Sequence, residues 1–203
     1  MLAVTGGKGG VGKTTTTLGL ARALGRRGES VVVVDADRDL PNLARMADVP
    51  TDRTTDPSPH RPTGVPDPVV PSVRILTAPR ERAATRRLLR TLDGRPGRVL
   101  VDCPAGAGRD AVTPLALAAR SVVVSTPAPA DVRDAAKSVA MARTLDAPPV
   151  ASTLTGRDDS VTALERVLPT PCIAVPRAET PLETASVTER YRELSECATL
   201  RNG

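Results

Sequence analysis

The stretch G-K-G-G-V-G-K-T, Gly7 to Thr14, decides the fold. It satisfies the pattern G-x-x-x-x-G-K-[ST] and lies between an apolar run, LAVT at 2–5, and a helix expected over 13–27. That context gives the pattern its meaning. A strand delivers the loop, and glycines let its backbone N–H groups turn inward around phosphate. The helix that follows aims its positive N-terminal end at the same anion. Lys13 is then expected to neutralise the β- and γ-phosphates of a nucleotide, and the Thr14 hydroxyl to bind Mg²⁺.

Working outward, short apolar runs recur between helix-forming segments, which is the βαβ pattern of a parallel sheet. The runs are 2–5, 31–35 (VVVVD), 73–77 (VRILT), 98–102 (RVLVD), 121–126 (SVVVST), 149–154 (PVASTL) and 172–175 (CIAV). Helices are expected over 13–27, with Gly28 as a stop, and over 80–92, 110–119, 131–145, 158–167 and 181–198. Residues 50–72 hold seven of the 20 prolines and predict an extended loop. The pattern predicts one α/β domain over 1–203, a doubly wound P-loop nucleoside triphosphatase fold with a mostly parallel sheet of about seven strands.

Composition agrees. The 203 residues suffice for one such domain with a substantial core. There is no Phe or Trp and a single Tyr, Tyr191, so Val, Leu, Ile and Ala must fill the interior, as suits a buried parallel sheet. Cys103, Cys172 and Cys197 form no C-x-x-C pair, which speaks against a zinc site or disulfide framework and for a reducing, cytoplasmic setting. The lone histidine, His60, has no second ligand nearby. Residues 2–5 are needed as a strand, which argues against a cleaved leader there, and no apolar run is long enough to span a membrane. The net charge of +5 is carried almost wholly by arginine, since only Lys8, Lys13 and Lys137 are lysines.

Two acidic positions join the loop. Asp35 and Asp37 end the run VVVVDAD at 31–37, at the carboxyl edge where parallel α/β sheets place their ligands. Asp102 ends the run RVLVD, as a Walker B carboxylate reaching Mg²⁺ would. Thr14 and Asp102 are the expected metal ligands, with Asp35 a further candidate. Two of the three lysines, Lys8 and Lys13, fall in the one loop, which in an arginine-rich chain marks a need for a compact ammonium.

K-G-G-V-G-K-T-T at 8–15 resembles the deviant Walker A motif of the MinD/ParA group of ATPases, with its extra leading lysine. DADRDLPNL at 35–43, DCPAGAGRDAV at 102–112 and TPAPADVRDA at 126–135 are similar to that group's later segments, and the PNL and CPAG strings favour its MinD side. The resemblance implies that Lys8, Gly9, Gly10, Val11, Gly12, Lys13, Thr14 and Thr15 bind ATP, with Thr15 at the α-phosphate. It implies that Lys8 crosses the interface of an ATP-sandwiched homodimer, and that Asp37 positions the attacking water. Lys8, Lys13 and Asp37 are thus the expected catalytic residues. Ala128 stands where many relatives carry an acidic residue, and the stretch VASTLTGRDD lacks the Asn that often reads adenine, so ATP over GTP rests on the resemblance.

The expectation is a Mg²⁺-dependent ATPase switch, slow without a stimulating protein partner, that dimerises on ATP and relaxes on ADP to recruit or release that partner. Three other readings are a nucleotide-binding scaffold, a small-molecule ligase or kinase, and a metallocluster carrier, the last requiring paired cysteines. Residues 74–98 hold eight arginines against two acids. Arg82, Arg86 and Arg90, with Arg87 beside them, form a face for non-specific DNA or an acidic protein, opposite an apolar stripe of Ala84, Leu88 and Leu92. The last helix puts Val187, Tyr191, Leu194 and Ala198 on one face but is acid-rich elsewhere, so no direct membrane anchor is expected. Lys13→Ala should abolish Mg²⁺-dependent nucleotide binding by removing charge-assisted contacts, a loss on the order of 3 kcal/mol. Calorimetric titration with ATP checks it, and undiminished affinity would overturn the loop assignment.

Overall fold

The apolar runs pair into a single sheet because each must bury both faces, and a helix after almost every strand supplies the cover. The computed structural model describes residues 1–53, 64–106, 108–156, 165, 167–168 and 170–199. The strands are β1 (Leu2–Thr5), β2 (Val31–Asp35), β3 (Val65–Pro66), β4 (Val73–Thr77), β5 (Arg98–Asp102), β6 (Arg120–Ser125), β7 (Pro149–Thr155) and β8 (Cys172–Val175). Their order is β3-β4-β2-β5-β1-β6-β7-β8, all pairs parallel except β3 with β4. The helices are α1 (Lys13–Arg26), α2 (Leu43–Met46), α3 (Arg82–Asp93), α4 (Arg109–Leu115), α5 (Pro129–Thr144) and α6 (Ala185–Thr199).

Successive strand residues alternate between two cores. Val4, Val31, Val33, Leu100, Val122 and Val124 join Leu18, Leu20 and Leu24 of α1 with Val187, Tyr191 and Leu194 of α6. On the other face, Val32, Val34, Val99 and Val101 meet Leu89 and Leu92 of α3, while Ala142 of α5 and Leu115 of α4 cover Ala3. The apolar face of α6 is thus buried in the domain's own core. Tyr191 lies flat on Gly19, where an added Cβ would stand 2.2 Å from the ring. Helix α1 stops where expected, with the Glu29 N–H donating to the Leu24 carbonyl and the Gly28 N–H to Gly25. That pairing is a Schellman motif, with Gly28 at φ 87°.

The structure departs from the sequence expectation in three places. The proline-rich segment contributes an eighth strand, β3, antiparallel to β4. Pro66 is tolerated because β3 is an edge strand, where a missing N–H breaks no ladder. The buried row of α3 is Thr85, Leu89 and Leu92, with Ala84 and Leu88 of the expected stripe half-buried beside it. Thr85 can lie inward because its hydroxyl donates to the Pro79 and Glu81 carbonyls. The short α2 was not expected from the pattern. His60 and most of the helix expected over 158–167 lie outside the described residues.

One buried ion pair fastens the segment that leads into β4. Arg22 of α1 makes a bidentate contact to Asp67 (2.8 and 3.1 Å to one oxygen), and Asp67 also accepts the Val69 and Val70 N–H groups. Both side chains are almost wholly buried. Asp67→Ala would strand the guanidinium in the core and is expected to cost about 3–5 kcal/mol. Urea unfolding measures it, and an unchanged midpoint would show that the pair does not anchor the segment.

Candidate nucleotide site

The phosphate loop runs from β1 into α1 at the carboxyl edge of the sheet, with β5 and β6 on either side of β1. Its first turn is seated on α5: a Cβ at Gly7 would stand 2.5 Å from the Asp134 Cβ, so only glycine allows the approach. Gly12 caps α1 at φ 92°, in the left-handed region, and turns the chain into the helix. A Cβ added at Gly9 or Gly10 would meet nothing within 4 Å, so the rim of the loop is open at these two positions. The Thr155 hydroxyl donates to the Val11 carbonyl (2.8 Å), tying the loop to the end of β7.

Lys13 is only 8% exposed, and its ammonium donates to the Lys8 carbonyl at 2.8 Å, closing the loop across its mouth. Desolvation lowers its pKa, while the charges of Asp102 and Asp37 oppose that shift. Asp102 stands opposite Val4 on one side and Asp35 on the other. It accepts the Thr17 hydroxyl at 3.1 Å, and the Thr14 hydroxyl bonds to the same carboxyl. Burial, with Asp35 adding to the rise, pushes Asp102 up to about 7.

Asp35 organises the next segment. One oxygen accepts the Asp37 N–H (3.0 Å), and the other accepts those of Asn42 (2.8 Å) and Leu43 (2.9 Å). Burial raises its pKa and these amides pull it back. Asp37 is half-buried, and its carboxylate accepts the Leu40 N–H at 3.1 Å while lying within the electrostatic reach of Lys13. Lys8, by contrast, is 60% exposed and pairs with Asp131 of α5 at 3.2 Å. Asp131 also accepts the Thr126 hydroxyl (2.6 Å), which with Lys8 holds its carboxyl below the ordinary range. Thr15 lines a separate cleft of about 260 Å³ with Met46, Thr180, Pro181, Leu182 and Glu183.

The structure therefore brings Lys8, Gly9, Gly10, Val11, Gly12, Lys13, Thr14, Asp35, Asp37 and Asp102 to one edge of the sheet, with Thr15 on the flank of α1. Sequence reading missed Thr17, although it lies one turn after Lys13 on the face of Thr14. It also missed Asp131, Thr126 and Thr155, which have no local signal. Among the described residues no three His, Cys, Asp or Glu side chains gather into a further metal site. Cys103 is buried beside Asp102, and burial drives its thiol pKa far up. Arg86, Arg87 and Arg90 face solvent on α3, whereas Arg82 is engaged by Asp110.

The model of the CobQ/CobB/MinD/ParA nucleotide binding domain matches residues 2–174. The chain belongs to this family. A septum site-determining protein MinD of Synechocystis sp. is 35% identical over 158 residues, 70% of this chain and 58% of the relative. An iron-sulfur cluster carrier protein of Methanococcus maripaludis is 34% identical over 165 residues, 72% of this chain and 56% of the relative. The chain thus spans little more than half the length of these relatives. The MinD of Pyrococcus horikoshii OT3, solved with Mg-ADP, superposes with a TM-score of 0.86 at 22% identity, over 98% of this chain and 95% of that one. The CobQ/CobB/MinD/ParA fold is thus present across the described chain. No helix among the described residues is long and apolar enough to cross a membrane.

The Asp102 carboxyl titrates above its ordinary value near 4, so in ligand-free protein it contributes stability below that pH that is lost as pH rises through 7. Asp102→Asn cannot ionise and is expected to gain on wild type as pH rises from about 4 to 8. Urea unfolding at both pH values measures the gain. An equal stability difference at both would mean that the fold does not raise the Asp102 pKa.

Proposed function

We propose that this chain binds Mg²⁺–ATP, hydrolyses it slowly, and uses the nucleotide state to switch between a monomer and a homodimer that recruits a protein partner. The observation that carries the reading is the arrangement of Lys13, Thr14, Thr17 and Asp102 at the open N-terminal turn of α1, with a second lysine on the rim. The residues fit the implied groups. The loop amides and the positive end of α1 suit phosphate, and a buried carboxylate flanked by two hydroxyls suits a hard divalent cation. When bound, Mg²⁺ would neutralise charge on the phosphate oxygens.

In this reading Lys13 exchanges the Lys8 carbonyl for phosphate oxygens, and Thr14 and Asp102 hold the metal. Thr15 and its neighbouring cleft flank the α-phosphate, ribose and base. Asp37 turns from the Leu40 amide to orient water. Lys8 leaves Asp131 and reaches across a dimer interface. The exposed Arg86, Arg87 and Arg90 offer duplex DNA or an acidic protein a cationic face. The 34%-identical carrier relative supports a second reading, a metallocluster carrier. Against it, Cys103 is buried and the three cysteines form no C-x-x-C pair.

Light scattering tests the switch. Wild type should be a dimer with ATP and a monomer with ADP. Lys8→Ala should remain a nucleotide-bound monomer, and Asp37→Ala a dimer that persists in ATP. One mass for all three proteins in both nucleotides would sink the proposal, and absent single-turnover hydrolysis with binding intact would leave a scaffold. Adding duplex DNA at low and high salt tests the α3 face, whose binding should fall steeply with salt.

A further inference from the structure

Residues 38–41, which follow Asp37, are poorly held by packing. Leu40 is 78% exposed. A cavity of about 230 Å³ lies beside the segment, lined by Arg38, Pro41, Ala44, Thr77, Ala78 and Pro79 among others. The position of this segment therefore depends on its polar ties. Asp35 fixes its base through the Asp37, Asn42 and Leu43 amides. Its tip is fixed by Arg38, whose guanidinium donates to the Arg80 carbonyl (2.6 Å) and to Asp110. The same Asp110 oxygen accepts Arg82 of α3 through Nε (3.1 Å) and Nη2 (2.9 Å). One carboxylate in the first turn of α4 thus gathers the segments that leave three adjacent strands, β4, β2 and β5.

We propose that the Arg38–Asp110 clasp sets the position of Asp37, making Arg38 and Asp110 positioning residues for hydrolysis. This rests on the reading of Asp37 as the water-orienting residue. The pair is only partly buried, and ion pairs open to solvent stabilise little. What carries the proposal is connection. Arg38 adjoins Asp37 in the chain, Asp110 lies on the short α4 that follows Asp102, and Arg82 links both to the basic helix α3. A partner that drew Arg82 or α4 aside would move Asp37 without touching the phosphate loop. The clasp is therefore a route by which contact at the α3–α4 face changes turnover.

The test uses the full chain as wild type, Asp110→Ala, the conservative Asp110→Asn, and the charge-swapped pair Arg38→Asp with Asp110→Arg. Hydrogen exchange in the nucleotide-free proteins should show the Leu40 amide opening about tenfold faster in both single variants, with β1 and β5 unchanged. Single-turnover hydrolysis should fall about tenfold in kcat while ATP affinity stays within about twofold, and the swapped pair should recover most of the rate. Equal Leu40 exchange in wild type and variants overturns the clasp. So does an unchanged kcat, or a loss confined to affinity. If wild type binds ATP without hydrolysing it, the proposed function fails in its enzymatic part, while the Leu40 exchange still decides whether the clasp holds the segment.

Discussion

A lysine ammonium buried at the mouth of the sheet sets the terms for everything around it. Lys13 has lost most of its hydration, so its charge must be met by protein groups or it will not persist. The Lys8 carbonyl meets it directly, and Asp102 and Asp37 supply opposing charge from neighbouring strands. That requires β1 in the middle of the sheet with β5 beside it, and β2 beyond. The order β2-β5-β1 supplies this, and its register places Asp35 level with Asp102. Two carboxylates side by side would repel were both ionised. Burial raises the pKa of both, and their partners differ: Asp35 accepts three backbone amides that oppose the rise, whereas Asp102 accepts hydroxyls and is pushed up to about 7.

The interior that supports this edge is built almost without aromatic rings. Strands rich in β-branched Val, with Leu and Ile, give aliphatic surfaces on both faces, and helices meet them through Leu, Ala and other small residues. Where the single aromatic is used, it packs on Gly19 so closely that no other residue would fit beneath it. The same economy appears in the ties between elements. The buried Arg22–Asp67 pair holds the irregular segment before β4, and it depends on complete hydrogen bonding to be tolerated.

Local patterns made the sheet legible in advance. Each of the seven expected strands has a periodicity or apolar run contained within four to seven residues, and the phosphate loop is a contiguous string. Edge strand β3 escaped because two residues, one of them proline, carry no pattern of their own. The α3 stripe is wider than its apolar pattern because Thr85 buries a polar atom that hydropathy counts against burial, while its hydroxyl satisfies itself on nearby carbonyls. The partners of the loop escaped for a different reason. Lys8 meets Asp131 across 123 residues, Thr155 meets Val11 across 144, and Arg38 meets Asp110 across 72. Such pairs follow from topology, which no local window contains.

The two loop lysines show how burial separates roles that one residue type could share. Lys13 is enclosed, so moving its charge out of the loop would mean rehydrating the ammonium and leaving Asp102 without its counter-charge. It is a fixed element. Lys8 sits at the rim, mostly in water, on a carboxylate that Thr126 already helps to keep ionised. The ammonium end of this pair already lies in water, so Lys8 can leave it without being desolvated or rehydrated. Asp131 would not be left uncompensated, because Thr126 continues to donate to it. A contact whose lysine end is solvated and whose buried carboxylate is backed by a second donor is one that can be exchanged for another anion. On the proposed reading, that is the property the crossing lysine of a nucleotide-dependent dimer needs.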